Sequence, residues 1–158
     1  MAQHVLERSQ VLPITLERAW AFFSSPRNLA RITPPEMGFV IHDSFDGREA
    51  YTGQRITYTV RPLFGIPMRW VTRIEDVKAP ERFVDTQEKG PYKRWHHTHT
   101  FEPVSGGVLM RDRVEYELPL GILGELAHVL FVRKKLDGIF RFRERTLERI
   151  FAGGSEPS

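Results

Sequence analysis

The segment RWHHTHTF, residues 94–101, holds the side chains of this chain that are best suited to chemistry. Successive side chains of a β-strand point to opposite faces of the sheet. A strand here therefore places four side chains on one face, and they are Trp95, His97, His99 and Phe101. Because aromatic side chains favour burial, we expect this face to point inward. Two imidazoles then lie in the interior, where they can donate, accept or transfer a proton.

A carboxylate follows in the next candidate strand. Asp112 shares a face with apolar residues, which are Val108, Met110, Val114, Tyr116 and Leu118. A turn at Ser105-Gly106 joins the two strands, and with the turn centred there we expect His97 to lie opposite Asp112. A slip of two residues sets His99 against Asp112 instead. Either pairing predicts a buried contact between an imidazole and a carboxylate.

A buried His-Asp contact has three interpretations. A carboxylate buried under a sheet needs a hydrogen-bonding partner, so the imidazole can serve the structure alone. The imidazoles can instead hold a carbonyl or hydroxyl group of an apolar ligand, with Asp112 fixing the tautomer. The pair can also act as general acid and base, which makes His97, His99 and Asp112 candidate catalytic residues. Two histidines and a carboxylate can also bind iron, but His-x-His recurs by chance, and we predict no metal.

The composition excludes several classes of chemistry. The chain has 158 residues and no cysteine, so disulfides, thiolate zinc sites and thiol nucleophiles are absent. It has no glycine-rich phosphate loop, no G-x-S-x-G elbow and no H-E-x-x-H motif. The sequence therefore lacks the usual motifs of nucleotide-dependent enzymes, serine hydrolases and zincins. We expect no cofactor.

Basic residues concentrate near the C-terminus, and they are Arg133, Lys134, Lys135, Arg141, Arg143, Arg145 and Arg149. Acidic residues are interspersed and no aromatic stacking platform accompanies them, which favours the solvated face of an amphipathic helix and no nucleic acid partner. The opening MAQHVLERSQVLP carries charges where a signal peptide needs an apolar core, and the longest apolar stretch, residues 126–132, is short. We therefore expect a cytoplasmic protein without integral membrane association.

The elements that must position the candidate residues follow from the hydrophobic pattern. Residues 4–12 are compatible with a strand that ends at Pro13, and Thr15 caps a helix over LERAWAFFSS. A second short helix covers residues 28–32. The period then changes to two, which predicts strands over residues 38–45, 53–62, 67–77, 82–88, 93–102 and 108–118. A helical pattern without proline covers residues 123–151 and is long enough to cross the sheet.

This order predicts an α+β fold, in which a curved seven-stranded antiparallel sheet wraps on the long C-terminal helix and two short helices lie between strands 1 and 2. A twisted sheet of that width curls, and one helix cannot fill the concavity, so we expect a cavity. The predicted ligand-binding residues are Tyr58, Trp70, Trp95, His97, His99, Phe101, Met110, Asp112 and Tyr116. We expect one domain over residues 1–151 and a disordered tail over residues 152–158.

The order of elements, together with LERAWAFFSSPRNLARITPP, resembles the helix-grip superfamily called SRPBCC, which includes START lipid-transfer domains, plant pathogenesis-related allergens and polyketide cyclases. A bacterial subgroup described as ligand-binding or cyclase/dehydrase-like is similar in three motifs, which are Gly90-Pro91, Trp95-x-His97-x-His99-x-Phe101 and Asp112-x-Val114-x-Tyr116-x-x-Pro119-x-Gly121. The resemblance covers nearly the whole chain. It implies a helix-grip fold and a hydrophobic ligand, but it supplies no substrate, because one fold hosts many functions.

The residues and the resemblance together favour a protein that binds an apolar metabolite, of lipid, quinone, isoprenoid or polyketide type, as a carrier or sensor. One alternative is an enzyme of the polyketide cyclase/dehydratase kind that uses the buried His-Asp pair. A second alternative is an interaction protein that presents its basic C-terminal helix to an anionic partner. We expect a small hydrophobic ligand as the partner and a monomer or homodimer as the assembly.

Overall fold

The computed structural model describes residues 3–42 and 48–152. Seven strands are present there: β1 (His4–Leu12), β2 (Val40–Ile41), β3 (Arg55–Val60), β4 (Met68–Lys78), β5 (Arg82–Lys89), β6 (Arg94–Val104) and β7 (Gly107–Glu117). The helices are α1 (Leu16–Phe23), α2 (Pro26–Arg31), α3 (Gly121–Ala127) and α4 (Arg133–Ile150). A 3₁₀ turn (Pro35–Met37) follows α2, and a π-helical turn (His128–Val132) joins α3 to α4.

All seven strands form one antiparallel sheet in the order β1-β7-β6-β5-β4-β3-β2. Only β1 is out of sequence order, because it pairs with the last strand. The helical run from α3 to α4 follows the last strand, and two short helices lie between β1 and β2. The predicted α+β architecture is therefore confirmed.

Local sequence explains why these elements form. Thr15 accepts a hydrogen bond from the backbone N–H of Arg18 and caps α1, as predicted. In β3, residues 56, 58 and 60 are buried while the residues between them are not, which is the alternation of a sheet with one inner face. Leu136, Phe140 and Leu147 are buried along α4 at helical spacing.

Several element boundaries differ from the sequence prediction. The second helix begins at Pro26 rather than at residue 28, because proline fits the first turn of a helix. The C-terminal helix begins at Gly121 and contains the π-helical turn, which no residue pattern announced. Strand 38–45 is reduced to Val40–Ile41 among the described residues, and its predicted end lies outside them. The predicted tail also lies outside them, apart from Ala152.

Of the two pairings that the sequence left open, the one that sets His97 directly opposite Asp112 does not occur, although His97 still contacts Asp112 through its side chain. The turn is at Ser105-Gly106 as expected, since Val104 pairs with Gly107 across it. Counting outward from that pair sets His99 opposite Asp112 and leaves His97 opposite Val114. The alternative pairing, two residues away, is therefore the one that this turn produces.

Within the described ranges, none of the helices combines the length and the apolar character that crossing a bilayer requires.

Candidate functional site

A cavity of about 510 Å³ lies between the inner face of the sheet and the C-terminal helix. Side chains of β3 to β6 form one wall, and α1, α2 and the C-terminal helix form the other. Most of its lining is apolar, with a small number of polar side chains on the sheet wall, which are Gln54, Thr72, Asp85, His97 and His99. A volume of this size lies within the range of small-molecule sites.

Exposed apolar side chains surround the mouth of the cavity. Phe64, Ile66 and Met68 lie at the β3–β4 connection, while Leu120 and Leu123 lie at the start of the C-terminal helix. We call these five residues the apolar rim. Phe64 and Leu120 are each 76% exposed.

Five of the predicted ligand-binding residues line the cavity, and they are Tyr58, Trp70, Trp95, His97 and His99. Four do not line it, and they are Phe101, Met110, Asp112 and Tyr116. All four point inward but are covered by other side chains. Phe101 packs against the rings of Trp20 and Phe23, and the hydroxyl of Tyr116 is hydrogen-bonded to His128. Met110 and Asp112 lie beneath Arg143.

Two histidines and two aspartates form a closed network on the sheet wall. His97 Nε2 donates to Asp112 Oδ1 at 2.9 Å, and His99 Nε2 donates to Asp85 Oδ2 at 2.5 Å. The remaining ring nitrogens are close to the opposite carboxylates: His97 Nδ1 is 3.5 Å from Asp85, and His99 Nδ1 is 3.4 Å from Asp112. The two imidazoles are stacked, with ring centroids 3.7 Å apart. Each carboxylate therefore accepts a hydrogen bond from one ring and lies close to the other.

Asp85 is the residue of this network that sequence reasoning missed. Its strand buries both Phe83 and Val84, so the alternation that would have identified the inner face is broken at this point. Trp95 Nε1 also donates to Asp85, at 3.3 Å. The available signal was the pairing of β5 with β6, which sets Asp85 directly opposite His97.

Arg143 supplies the positive charge of the network. Its guanidinium donates to Asp112 Oδ1 at 3.1 Å, and only 6% of the residue is exposed. The prediction that placed Arg143 in a solvated basic face is wrong, because residue 143 falls on the apolar stripe of α4 between Phe140 and Leu147. A buried Asp112 needs a cation, and that need was the signal that could have singled out Arg143.

These contacts shift the pKa of three groups, which are Asp112, Asp85 and His99. Burial alone would raise the pKa of Asp112, but Arg143 and His97 outweigh it and hold that pKa well below its usual range. The pKa of Asp85 is lowered against its burial by His97 and His99. Burial, with His97 beside it, lowers the pKa of His99 to about 4. At neutral pH, the network therefore contains two carboxylates and a neutral His99 whose Nε2–H is donated to Asp85.

One donor in this wall lacks a partner. Trp70 Nε1 is buried and makes no hydrogen bond within the part of the chain that the structure describes, although the Trp70 side chain lines the cavity. By contrast, the neighbouring Tyr58 hydroxyl is hydrogen-bonded to Thr72 Oγ1 at 3.0 Å. A buried donor without an acceptor is rare, and it calls for a group that these residues do not supply.

The other histidines lie outside the cavity. His96 is on the outer face, 3.5 Å from Glu115, and His42 is hydrogen-bonded to Thr59. His128 does not line the cavity. His4 is partly buried against Glu125 and His128 because β1 pairs with the end of β7.

The fold is START-like, of the helix-grip SRPBCC type. No protein-family model matches the chain, and no curated protein matches it in sequence. The assignment of the fold therefore rests on the comparison with solved structures, and it concerns the fold alone.

Three solved structures illustrate the likeness. A protein from Thermus thermophilus is 23% identical over 98% of this chain and 100% of that chain, with a TM-score of 0.66. A START superfamily protein from Mycobacterium smegmatis is 14% identical over 92% of this chain and 98% of that chain, with a TM-score of 0.65. A nucleoside-diphosphate sugar epimerase from Corynebacterium glutamicum is 24% identical, with a TM-score of 0.64, over 92% of this chain but 29% of that chain. The fold thus occurs both as a whole chain and as part of a larger one.

Proposed function

We propose that this protein binds an apolar small molecule in its cavity, as a carrier or sensor. The observation that carries the proposal is the cavity itself, which combines about 510 Å³ of mainly apolar space with one polar wall. Sites for small molecules typically have this composition, because the apolar lining supplies affinity and a few polar groups orient the ligand. Lipids, quinones, isoprenoids and polyketides have the matching chemistry, with a large apolar body and one or two oxygens.

The polar wall supports a ligand that carries an oxygen near one end. Trp70 Nε1 is a donor without a protein acceptor, and a ligand carbonyl or hydroxyl oxygen would satisfy it. His97 and His99 lie in the same wall with their tautomers set by Asp112 and Asp85. Such fixed side chains lose little entropy on binding, which favours selection of one ligand class over another.

The test is mass spectrometry of an organic extract from protein that was purified without detergent. We expect about one apolar compound per chain in the wild type. Ile56→Trp fills part of the cavity and should remove the compound, whereas Met110→Leu alters a buried residue outside the lining and should retain it. A wild-type protein that carries no compound and binds no apolar fluorescent probe would contradict the proposal.

A second candidate function is proton-transfer catalysis of the cyclase/dehydratase kind. The observation that favours it is the 2.5 Å contact between His99 and Asp85 in a cavity wall, since a neutral imidazole oriented by a carboxylate is the usual form of a general base. The two functions separate in the His99→Gln variant. Catalysis predicts loss of turnover of a polyketone substrate with binding affinity nearly unchanged, whereas simple binding predicts that affinity falls.

A further inference from the structure

Three further side chains meet outside the cavity. His4 is the first residue of β1, Glu125 lies in α3, and His128 begins the π-helical turn. His4 Nε2 is 3.0 Å from Glu125 Oε2 and 3.2 Å from Glu125 Oε1. The rings of His4 and His128 are stacked, with their centroids 3.6 Å apart. One nitrogen or oxygen of each residue lies within 4.8 Å of those of the other two.

These three residues come from elements that are far apart in the sequence, which are β1 and the start of the C-terminal helical run. Glu125 and His128 are three positions apart in one helical run, so their side chains share a face. The pairing of His4 with Tyr116 in the sheet then places the first strand residue beside that face. His128 is 2% exposed, whereas the His4 and Glu125 side chains are 18% and 33% exposed. The cluster is thus anchored in the core and still open to solvent on one side.

We infer that His4, Glu125 and His128 form a binding site for Zn²⁺. Two imidazoles and one carboxylate are a common ligand set for this ion, and a fourth position on the exposed side is left for water. The Tyr116 hydroxyl is 2.7 Å from His128 Nε2 and can orient that ring. A hydrogen-bonding partner of this kind beside a ligating histidine is a regular feature of metal sites.

The electrostatics of the cluster suit a cation. Glu125 supplies the negative charge that partly compensates a divalent ion.

Bound Zn²⁺ would connect the first residue of β1 to the junction of α3 with the π-helical turn. Gly124 and Ala127 of the same helix line the cavity, so the ion would also hold one side of the cavity in place. The site is independent of the proposed ligand, because none of its three residues lines the cavity.

The experiment is calorimetric titration of ZnCl₂ into tag-free protein that has been treated with a chelator and then freed of it. Co²⁺ absorption serves as a second readout of a nitrogen and oxygen coordination shell. We expect one ion per chain and a rise in Tm of about 5 °C or more at saturation. His4→Ala and Glu125→Gln should each weaken binding by about 10-fold or more, and both alter partly exposed side chains that the fold tolerates.

A matched control is required because Asp85, His97 and His99 are the other such group among the described residues. Asp85→Asn should leave the affinity for Zn²⁺ unchanged if the ion binds at His4. The inference is overturned if the wild type binds no Zn²⁺, if His4→Ala and Glu125→Gln bind it as tightly as the wild type, or if Asp85→Asn abolishes binding. Loss of the cavity ligand in any of these variants bears on the proposed function and not on the metal site.

Discussion

At the scale of single residues, the main feature is the network of two histidines and two aspartates. Asp112 is stabilised as a carboxylate by Arg143 and His97, and Asp85 by the two imidazoles. Sequence alternation predicted the inward positions of His97, His99 and Asp112, because these strands alternate regularly. It did not identify Asp85, since β5 buries both Phe83 and Val84 and its alternation is broken there.

The lowered pKa of His99 predicts a dependence of stability on pH. Its pKa is about 4 in the folded protein and 6.5 in the unfolded chain, so the unfolded chain binds more protons between these values. The free energy of unfolding should therefore fall as the pH drops from 6.5 to 4, by at most about 1.4 kcal/mol per pH unit. Denaturant unfolding at several pH values measures this slope.

The control for that slope is His99→Gln, which cannot titrate and should have a flatter profile than the wild type. The contributions of Asp85 and Asp112 fall mainly at lower pH. Their lowered pKa values add stability that is fully present well above their unfolded value of 3.8 and begins to be lost below about pH 5, so the slopes of wild type and variant are compared between about pH 5 and 6.5. An equal slope in wild type and variant would contradict the assignment.

The ion pair of Arg143 with Asp112 predicts an asymmetry between single and double substitutions. Arg143→Met leaves Asp112 as a buried charge without its cation, which should lower the free energy of unfolding by about 3–5 kcal/mol. Asp112→Leu combined with Arg143→Met removes both charges and should be less destabilising than Arg143→Met alone. Urea unfolding of the three proteins checks this, and a double variant less stable than the single one would refute it.

At the scale of elements, the hydrophobic period identified almost every strand and helix, because each has one buried face. The boundaries that differed are those that depend on tertiary contacts or on single residues, such as Pro26 at the start of α2. The π-helical turn has no hydrophobic periodicity of its own, so the sequence pattern could not predict it. The register of β6 against β7 could have been predicted correctly, since the position of the turn alone determines it.

The β6–β7 turn offers a matched pair of glycine substitutions. Gly106 and Gly107 both have positive φ, of 90° and 146°, so alanine strains the backbone at either position. At Gly107, a Cβ would also lie 1.9 Å from the carbonyl oxygen of Leu12, whereas at Gly106 it would meet nothing within 4 Å. Gly107→Ala should therefore lower the Tm far more than Gly106→Ala, which should cost about 1–2 kcal/mol. Equal shifts in Tm would show that the end of β1 can move aside.

At the scale of the whole molecule, the cavity exists because the sheet has more inner surface than one helical run covers. This part of the architecture could be predicted from the order of elements, since a wide twisted sheet curls. The extent of the lining could not, because Phe101 and Met110 are covered by α1 and Arg143, and these contacts form only in the folded chain. The inner face of the sheet is thus divided into a cavity wall and a packed core.

A homologous series of 4-alkylphenols should reveal the capacity of the cavity. Each added methylene group buries more apolar surface and should improve the binding free energy by about 0.8 kcal/mol, or about fourfold in affinity, until the space is filled. Calorimetric titration would then show a plateau, and Ile56→Trp should reach it at a shorter chain. An affinity that does not depend on chain length would indicate binding outside the cavity.

The apolar rim has a consequence for the kinetics of ligand exchange. A molecule that leaves through the mouth passes Phe64 and Leu120, which already face water, before it meets the solvent itself. Release into water forfeits the hydrophobic contacts of the rim, whereas release to an apolar surface pressed against the rim keeps the ligand continuously covered. We therefore expect exchange by collision, with a rate that increases with the concentration of acceptor and is not limited by escape of the free ligand into water.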